Sequence, residues 1–286
     1  MTTVAVTGSA SGIGAACAAR LGAGGTRVIG IDRHRADVIA DLGTEGGREE
    51  ACRAVARLCG GRLDGLVTCA GLAGAPDRPG SVLASVNYFG TVGMLTGLRP
   101  LLADGTSPAA VAVSSNSATI QPGVPSAVVR ACLAGDEPGA RRLADDFGSL
   151  ATYPATKLAL AHWIRRQATG ANWIGSGIRL NAVAPGMVDT PLVAEGRADP
   201  VVGPLLESFP IPVGRPGRPE EIAALVDLLL GPEGGFFCGS VLLVDGGSEA
   251  LLRPTDWPSP WSSDDGPAAD GDAKACSRET PSGRTG

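Results

Sequence analysis

Short apolar runs alternate with longer amphipathic segments along most of the chain. Each run is bounded by glycine or a polar residue, which is typical of a strand buried on both faces of a parallel sheet. These predicted strands span residues 3–7, 27–31, 38–40, 64–69, 109–114, 178–183 and 241–244. Because strands that alternate with helices pair in parallel through right-handed crossovers, the pattern predicts an α/β fold with a doubly wound, Rossmann-type sheet of seven parallel strands.

The segments between the strands carry the apolar spacing of helices and begin or end near glycine or proline. The predicted helices span residues 12–23, 45–59, 81–102, 153–169 and 219–230. Residues 120–150 depart from this alternation and predict a helical insertion, with short helices at 126–134 and 138–147. The insertion separates the fifth strand from the helix that is predicted to begin at Tyr153.

Composition limits the classes of protein that the chain can represent. With 286 residues, of which 44% are hydrophobic, it can bury one substantial core, predicted as a single domain over residues 1–253. Residues 254–286 are rich in Ser, Pro, Gly and Asp and lack an apolar period, so they predict a disordered tail. A formal net charge of −5 disfavours nucleic acid and anionic membrane surfaces as partners.

The N-terminal sequence and the cysteines predict a cytoplasmic protein. No basic stretch followed by an apolar segment precedes the first strand, and no run approaches the ~20 apolar residues that span a bilayer. The seven cysteines include no C-x-x-C pair, and the two histidines lie far from any cluster of metal ligands. The sequence therefore predicts reduced, mostly buried thiols and no metal site.

A glycine-rich loop joins the first predicted strand to the first predicted helix. It consists of Gly8, Ser9, Ala10, Ser11, Gly12, Ile13 and Gly14. Glycine lets the backbone turn tightly and approach a diphosphate, and a helix N-terminus presents free N–H groups to it. A tight turn alone also needs glycine, but the position between a strand and a helix favours dinucleotide binding.

Asp32 ends the second predicted strand, where a dinucleotide-binding fold places the adenine ribose. A carboxylate there accepts hydrogen bonds from both ribose hydroxyls and repels a 2′-phosphate, which predicts NAD rather than NADP. Arg33 weakens this preference, because a neighbouring guanidinium favours the phosphate. An ordinary polar strand end is the alternative interpretation of Asp32.

Further motifs follow the loop along the chain. They are Thr68-Cys69-Ala70-Gly71, Asn87, Ser114-Ser115, Tyr153-x-x-x-Lys157, Arg179-Leu-Asn181 and Pro185-Gly186-x-x-x-Thr190. With them the sequence resembles the short-chain dehydrogenase/reductases over about residues 1–253. Within that family, Ala40-Asp41-Leu42 and the long insertion before Tyr153 resemble the bacterial 3α-hydroxysteroid dehydrogenase/carbonyl reductase branch. The family usually carries Asn-Asn-Ala-Gly where this chain has Thr68-Cys69-Ala70-Gly71.

The resemblance implies a catalytic set of Asn87, Ser115, Tyr153 and Lys157. Tyr153 would exchange a proton with the substrate oxygen, and because free tyrosine titrates near pH ~10 it needs an activating charge. Lys157 lies four residues on, on the same helix face, and can stabilise the phenolate. Ser115 would bind the substrate oxygen, and Asn87 would hold a water that passes protons between Lys157 and solvent. Each residue alone has an ordinary alternative: a chance i, i+4 pair, a strand-end cap or a helix kink.

The same resemblance implies further cofactor contacts. Beyond the glycine-rich loop, Asp32 and Arg33, they come from Asp41, Leu42, Ala70, Gly71, Tyr153, Lys157, Pro185, Gly186, Val188 and Thr190. Residues 187–218 form a loop rich in proline, where the family carries its substrate lid. Its apolar side chains would close over an apolar substrate, and plain packing onto the core is the alternative; they are Leu192, Val193, Val201, Leu205, Leu206 and Phe209. The insertion would obstruct the surface through which many relatives pair. Because the resembling branch pairs through its last helix and strand instead, the resemblance implies a homodimer through residues 219–230 and 241–244.

These features predict an NAD(H)-dependent oxidoreductase that interconverts a secondary alcohol and a ketone by hydride transfer. The expected substrate is a hydroxysteroid or a similar apolar cyclic molecule. One alternative is a biosynthetic ketoreductase or alcohol dehydrogenase that acts on a terpenoid or another secondary metabolite. Others are a non-catalytic NAD(H)-binding regulator and a scaffold protein that uses the tail. The complete Asn–Ser–Tyr–Lys set favours the enzyme, because a regulator has no need of a proton relay.

Overall fold

The computed structural model describes residues 2–257 and 260, and the chain up to Pro254 forms one compact unit. The strands are β1 Thr3–Thr7, β2 Arg27–Asp32, β3 Val38–Ile39, β4 Gly65–Thr68, β5 Ala109–Val113, β6 Arg179–Pro185 and β7 Val241–Val244. They form a seven-stranded parallel sheet in the order β3-β2-β1-β4-β5-β6-β7, which confirms the predicted doubly wound fold. The predicted disordered tail, residues 254–286, lies outside the described residues apart from 254–257 and 260.

Helices connect the strands and cover both faces of the sheet. The first are α1 Gly12–Ala23, α2 Glu45–Cys59, α3 Gly80–Leu83, a π-helix at Ala84–Gly90 and α4 Thr91–Ala103. After β5 come α5 Ser117–Ile120, α6 Ser126–Leu133, α7 Glu137–Phe147 and α8 Ser149–Ala168. The C-terminal part holds α9 Pro191–Ala198, α10 Val202–Glu207, α11 Pro219–Leu230 and α12 Ser248–Leu252, with 3-10 turns at Ile174–Ser176 and Pro232–Phe236.

Two hydrophobic cores lie on opposite faces of the sheet, because neighbouring residues of a strand point to opposite sides. On β4, Leu66 belongs to the core that includes side chains of α2, α4 and α8, whereas Val67 belongs to the core that includes side chains of α1 and α11. Both side chains are fully buried. Since the central strands are covered on both faces, they read in the sequence as continuous apolar runs.

Three helical segments differ from the sequence prediction. The helix predicted over residues 81–102 contains the π-helix in its middle. The helix predicted to begin at Tyr153 begins at Ser149, because Gly148, with a φ of 77°, turns the chain directly out of α7 and into α8. The loop predicted at residues 187–218 contains α9 and α10, since proline in the first turn of a helix favours its start.

The insertion after β5 folds onto the rest of the unit. Val128 and Cys132 of α6 and Ala140 of α7 are fully buried in the same core as α8. Arg48 of α2 forms an ion pair of 2.7 Å with Glu137 at the start of α7. The predicted helical insertion is confirmed, and it covers one side of α8 and of the π-helix.

Two kinds of feature are not found in the described part of the chain. Among the described residues no helix is long and apolar enough to cross a membrane. In the same residues no group of three or more His, Cys, Asp or Glu side chains could hold a metal ion. The six cysteines that the structure describes are free thiols.

Candidate active site

The glycine-rich loop between β1 and α1 is shaped by backbone contacts that leave no room for a side chain at Gly8 or Gly14. A Cβ on Gly14 would lie 2.1 Å from the carbonyl oxygen of Gly8, and a Cβ on Gly8 would lie 2.8 Å from Ala70 N. Gly8 and Gly12 also have positive φ values of 69° and 52°, which favour glycine. The loop can therefore bring its backbone close to a ligand.

The N-terminus of α1 is open toward an anion. Ser11 is the N-cap, and within the described residues its side chain forms no capping hydrogen bond. The first N–H groups of a helix have no partner inside the helix, and together with the helix dipole they attract phosphate. A loop with glycine at its closest backbone contacts and a helix N-terminus without a side-chain cap fit the diphosphate of a dinucleotide.

Asp32 stands at the end of β2, beside this loop. Its Oδ2 accepts a hydrogen bond from Ala10 N at 3.0 Å, and its Oδ1 accepts one from His34 N at 3.3 Å. These bonds fix the carboxylate, and its remaining lone pairs can accept hydrogen bonds from ribose hydroxyls. Arg33 is exposed next to it.

The other residues predicted for the adenosine side lie in two loops. Asp41 is exposed, and its carboxylate accepts a hydrogen bond from Gly43 N at 2.9 Å. Leu42 turns its side chain into the core, where it is 6% exposed, so its backbone is the part left for a ligand. Ala70 N donates to Thr7 Oγ1 at 3.1 Å, which holds the loop after β4 against the glycine-rich loop.

The loop after β6 forms another side of the site. Pro185 O accepts a hydrogen bond from Asn116 N at 2.9 Å, and Gly186 N donates to Val244 O at 3.0 Å. A Cβ on Gly186 would lie 2.6 Å from Asp245 Cβ. The ends of β5, β6 and β7 are therefore held together where the chain leaves the sheet.

Thr190 brings the start of α9 against the glycine-rich loop. It is the N-cap of α9, and its Oγ1 accepts a hydrogen bond from Val193 N at 3.4 Å. Its methyl carbon lies 3.3 Å from the position of a Cβ on Gly12. Val188 is 4% exposed and pairs with Gly217 in an isolated parallel bridge. Of these two predicted cofactor residues, Thr190 borders the loop, whereas the Val188 side chain belongs to the core.

Ser115, Tyr153 and Lys157 meet at the carboxyl edge of the sheet. The Ser115 hydroxyl, just after β5, forms a hydrogen bond with the Tyr153 phenol in the second turn of α8. Lys157 Nζ lies 5.9 Å from the centroid of the Tyr153 ring and donates to Val113 O at 2.9 Å. The insertion lengthens the chain between Ser115 and Tyr153 without separating them in space.

Burial changes the acidity of both ionisable side chains. It raises the pKa of Tyr153 above its ordinary value, and the hydrogen bond with Ser115 opposes that rise. Burial also lowers the pKa of Lys157 to about 8, because the ammonium loses its hydration. Near neutral pH the ammonium is therefore still largely charged and attracts a phenolate at Tyr153.

Asn87 lies in the π-helix and is fully buried. Its Oδ1 accepts a hydrogen bond from Leu72 N at 2.8 Å, and its Nδ2 donates to Leu72 O at 2.9 Å. A Cβ on Gly71 would lie 3.3 Å from Asn87 Oδ1 and 3.7 Å from Lys157 Nζ. Asn87 and Lys157 thus converge on the loop after β4, and a π-turn is a frequent feature of functional sites.

Thr68 and Cys69, which replace the two asparagines usual in the family, change the structure only locally. Thr68 still pairs in register with Ala112, but its buried hydroxyl has no hydrogen-bond partner among the described residues. A hydrogen bond with Cys17 and burial hold the pKa of the Cys69 thiol well above its usual range. Cys69 therefore stays neutral near Lys157 and does not compete with a Tyr153 phenolate for the ammonium charge.

A cavity of about 280 Å³ lies between the loop after β4 and α9–α10. Ala73, Leu192 and Val202 give it apolar walls. Arg78 of the loop forms an ion pair of 2.9 Å with Glu195 of α9, which joins the two sides. This cavity lies where the lid was expected.

The apolar side chains predicted for the lid are not all packed away. Val201 is 53% exposed and Leu205 is 62% exposed. The rest are partly exposed, namely Leu192, Val193, Leu206 and Phe209. This apolar surface is available to a ligand.

The sequence prediction missed the turn that follows β7. Asp245 Oδ2 accepts hydrogen bonds from Asn116 Nδ2 at 3.2 Å and from Glu249 N at 2.7 Å. The available signal is Asp-Gly-Gly directly after a predicted strand, which marks a tight turn. Gly246 and Gly247 do have positive φ values, 66° and 90°.

Comparison with known proteins gives the family. A family model described as short chain dehydrogenase matches residues 2–128, and one described as Enoyl-(Acyl carrier protein) reductase matches residues 139–249. The chain is 38% identical over 260 residues to a 3-alpha-hydroxysteroid dehydrogenase/carbonyl reductase of Comamonas testosteroni, covering 90% of this chain and 100% of that protein. The chain belongs to the short-chain dehydrogenase family.

The similarity extends to a group within the family. The crystal structure of the 3-alpha-hydroxysteroid dehydrogenase from Pseudomonas sp. B-0831 complexed with NADH has a TM-score of 0.85 and 47% identity, covering 89% of this chain and 99% of that chain. The Pseudomonas aeruginosa RhlG/NADP complex has a TM-score of 0.67 and 26% identity, covering 87% of this chain and 96% of that chain. The resemblance inferred from the motifs is confirmed.

Proposed function

We propose that the protein is an NAD(H)-dependent oxidoreductase that interconverts a secondary alcohol and a ketone. We further propose that its substrate is a hydroxysteroid or a similar apolar cyclic molecule. The observation that carries the proposal is the convergence of three side chains: Lys157 Nζ lies 5.9 Å from the centroid of the Tyr153 ring, and hydrogen bonding from Ser115 lowers the pKa of the Tyr153 phenol. The two relatives that are 3-alpha-hydroxysteroid dehydrogenases, one of them in complex with NADH, support the substrate class and the cofactor.

The side chains of the site divide the reaction between them. When bound, the nicotinamide supplies or accepts the hydride. Ser115 binds the substrate oxygen and so orients the reacting carbon. Tyr153 accepts the hydroxyl proton when the alcohol is oxidised and returns it when the ketone is reduced. Lys157 stabilises the phenolate by its charge, and Asn87 holds a water that carries protons between Lys157 and solvent.

The preference for NAD over NADP depends on Asp32. Its carboxylate is held in place by Ala10 N, so a 2′-phosphate would meet a fixed negative charge. Replacing it, in Asp32→Ser, is expected to shift the ratio of kcat/KM for the two cofactors toward NADP. Steady-state kinetics with each cofactor measures this ratio, and an unchanged ratio contradicts the role given to Asp32.

We also propose a homodimer formed through α11 and β7. The insertion helices cover one side of α8, whereas β7 is an edge strand with half-buried side chains. Close to it, Leu228 is 40% exposed and Phe236 is fully exposed. Burying such apolar surface in a second copy of the chain is favourable. Light scattering at working concentration should give the mass of a dimer, and a monomer would contradict the interface.

We place the protein in the cytoplasm. The six thiols of the described residues are free, which suits a reducing compartment. Cell fractionation tests this location.

The experiment that tests the proposed function follows the absorbance of reduced nicotinamide. Purified protein is mixed with NAD and a 3α-hydroxysteroid, and a panel of cyclic terpenoid alcohols and other secondary alcohols is run in parallel. Steroid turnover by the wild type, absent in Tyr153→Phe, is the expected result. Turnover of another alcohol alone would overturn the steroid assignment and keep the reaction class. NADH binding without turnover of any substrate would favour a regulator.

A further inference from the structure

The turn after β7 is closed by the side chain of its first residue. We call residues 245–249 the Asp245 turn. Asp245 Oδ1 accepts a hydrogen bond from Gly247 N at 3.0 Å, and its Oδ2 accepts one from Glu249 N at 2.7 Å. Ser248 and Glu249 are buried. A carboxylate that satisfies two backbone donors, in a turn whose last two residues are buried, is held firmly in position.

One contact of the Asp245 turn reaches the segment that carries Ser115. Asn116 Nδ2 donates to Asp245 Oδ2 at 3.2 Å. Asn116 directly follows Ser115, and Ser117 N donates to Ser115 Oγ at 3.2 Å. The Asn116 amide, which contacts Asp245, and the Ser115 hydroxyl, which contacts Tyr153, therefore belong to the same short segment between β5 and α5.

Two hydrogen bonds join the Asp245 turn to the expected lid, and Asp245 itself lies against the loop after β6. Ser248 Oγ donates to Pro210 O at 2.7 Å, and Val213 N donates to Gly246 O at 3.1 Å. The Cβ of Asp245 lies 2.6 Å from the position that a Cβ on Gly186 would take. The Asp245 turn thus borders three parts of the proposed active site.

We propose that Asp245 is a positioning residue for the reaction proposed above, and that it acts through Asn116 to hold Ser115 against Tyr153. The inference rests on the proposed function, and it adds to it a residue that takes no part in proton transfer. The hydrogen bond needs both partners, because the carboxylate accepts and the amide donates.

The backbone alone holds the Ser115 segment from the side of β6. Ser114 N donates to Val183 O at 2.8 Å, and Asn116 N donates to Pro185 O at 2.9 Å. The Asn116 side chain adds the contact on the side of β7. If this contact is lost, the Ser115 hydroxyl moves more freely and its hydrogen bond with Tyr153 weakens.

The pKa of Tyr153 reports on this hydrogen bond. Burial raises that pKa and the bond with Ser115 opposes the rise, so a weaker bond leaves the pKa higher. The titratable groups close to Tyr153 are Lys157 and, beyond it, the Cys69 thiol, and neither contacts Asn116 through a hydrogen bond in the described residues. A shift caused by Asn116 therefore has to pass through Ser115.

The first test titrates the Tyr153 phenol by ultraviolet absorbance and needs no substrate. The chain has two tyrosines, and burial raises the pKa of Tyr88 far above its ordinary value. The difference spectrum against Tyr153→Phe isolates the phenol of interest. We expect Asn116→Ala to move its titration to higher pH, whereas Asn172→Ala, at an exposed amide, should leave it unchanged.

The second test uses turnover. Loss of one hydrogen bond that orients Ser115 should lower kcat about tenfold in Asn116→Ala, with KM for NAD changed by less than about twofold. The pH profile of alcohol oxidation should move to higher pH, because a higher pKa of the Tyr153 phenol means that the phenolate forms only at higher pH. A merely structural role of Asn116 would lower the free energy of unfolding without lowering kcat while KM for NAD stays nearly constant.

Two further variants separate positioning from general loosening. Asn116→Asp replaces the donor with a second carboxylate against Asp245, so it should lower kcat and move the phenol titration to higher pH at least as far as Asn116→Ala does. Asn181 is a fully buried amide that donates to Phe237 O and accepts from Ser240 N. Asn181→Ala should lower stability and leave the phenol titration in place.

An unchanged titration and an unchanged kcat in Asn116→Ala would overturn the proposal. If the wild type oxidises no alcohol but Asn116→Ala still shifts the phenol titration, the proposed function fails and the positioning role of Asp245 stands.

Discussion

The two sides of the candidate active site are built from different parts of the polypeptide, one mostly from backbone and the other mostly from side chains. Between β1 and β2 the surface is mostly backbone, and Gly8 and Gly14 are packed so closely that a Cβ would meet other backbone atoms. Between β5 and β7 it is made of side chains, among them Ser115, Tyr153 and Lys157, held by hydrogen bonds across long stretches of sequence. The first side is sensitive to an added atom, and the second is sensitive to a removed one.

The largest expected effect comes from removing one oxygen on the side-chain side. Tyr153→Phe keeps the ring but loses the proton donor, so kcat should fall by about 10³ while NADH still binds. Stopped-flow or steady-state kinetics measures kcat, and fluorescence titration measures NADH affinity. Tyr88→Phe makes the same chemical change at the other tyrosine and should retain activity. Full activity in Tyr153→Phe would show that the Tyr153 phenol is not the proton donor.

Adding one carbon on the backbone side should cost nearly as much. In Gly14→Ala the new Cβ would lie 2.1 Å from Gly8 O, so the loop has to move and NADH affinity should fall by about 100-fold. Gly22→Ala, on the same helix with no neighbouring atom within 4 Å, should bind NADH normally and be slightly more stable. Equal binding by both variants would show that the loop tolerates side chains.

Burying Lys157 should make the stability of the free protein depend on pH. Burial lowers its pKa from 10.5 to about 8, so between these values the unfolded chain holds a proton that the folded protein has released. The free energy of unfolding therefore rises with pH from about 8 to 10.5, by on the order of 2 kcal/mol. Urea unfolding across this range should show the rise in wild type relative to Lys157→Met. Parallel curves for the two proteins would mean that Lys157 is better hydrated than its burial indicates.

The smallest effect is expected at the edge of the insertion. Glu137→Gln removes a charge that is paired with Arg48 at 2.7 Å and partly buried, which should lower stability by about 1 kcal/mol. Glu50→Gln breaks an exposed pair with Arg53 and should change nothing measurable. Chemical unfolding compares the two variants, and an equal effect would show that the insertion gains nothing from the buried pair.

The same contrast explains which features the sequence could predict. The position and the tight turn of the glycine-rich loop could be predicted because their signals are local: glycine, a strand before it and a helix after it. The pairing of Ser115 with Tyr153 followed from resemblance, since nothing in the intervening residues indicates that the chain returns to the same place. The contact of Asn116 with Asp245 joins residues 129 positions apart, and no motif of either residue predicts the other.

Short irregular elements were missed for a different reason. A helical apolar period is readable over several turns, but α9 and α10 are too short to repeat it. The π-helix is seven residues long, and over that length its period cannot be distinguished from that of an α-helix. The side chains of Leu42 and Val188 belong to the core, so the cofactor contacts predicted for these two residues would have to come from their backbone atoms.

The π-helix also makes it possible to delete one residue from the chain without disturbing the helix that follows. A π-turn contains one residue more than the α-turn that it replaces. Deleting a single residue between Ala84 and Gly90 can therefore restore a regular α-helix while Met94 and Leu98 of α4 keep facing the core. Such a deletion would preserve the fold and displace Asn87. Single-residue gaps at this point in homologous sequences would thus mark lineages that moved Asn87 away from Lys157 without rebuilding the protein.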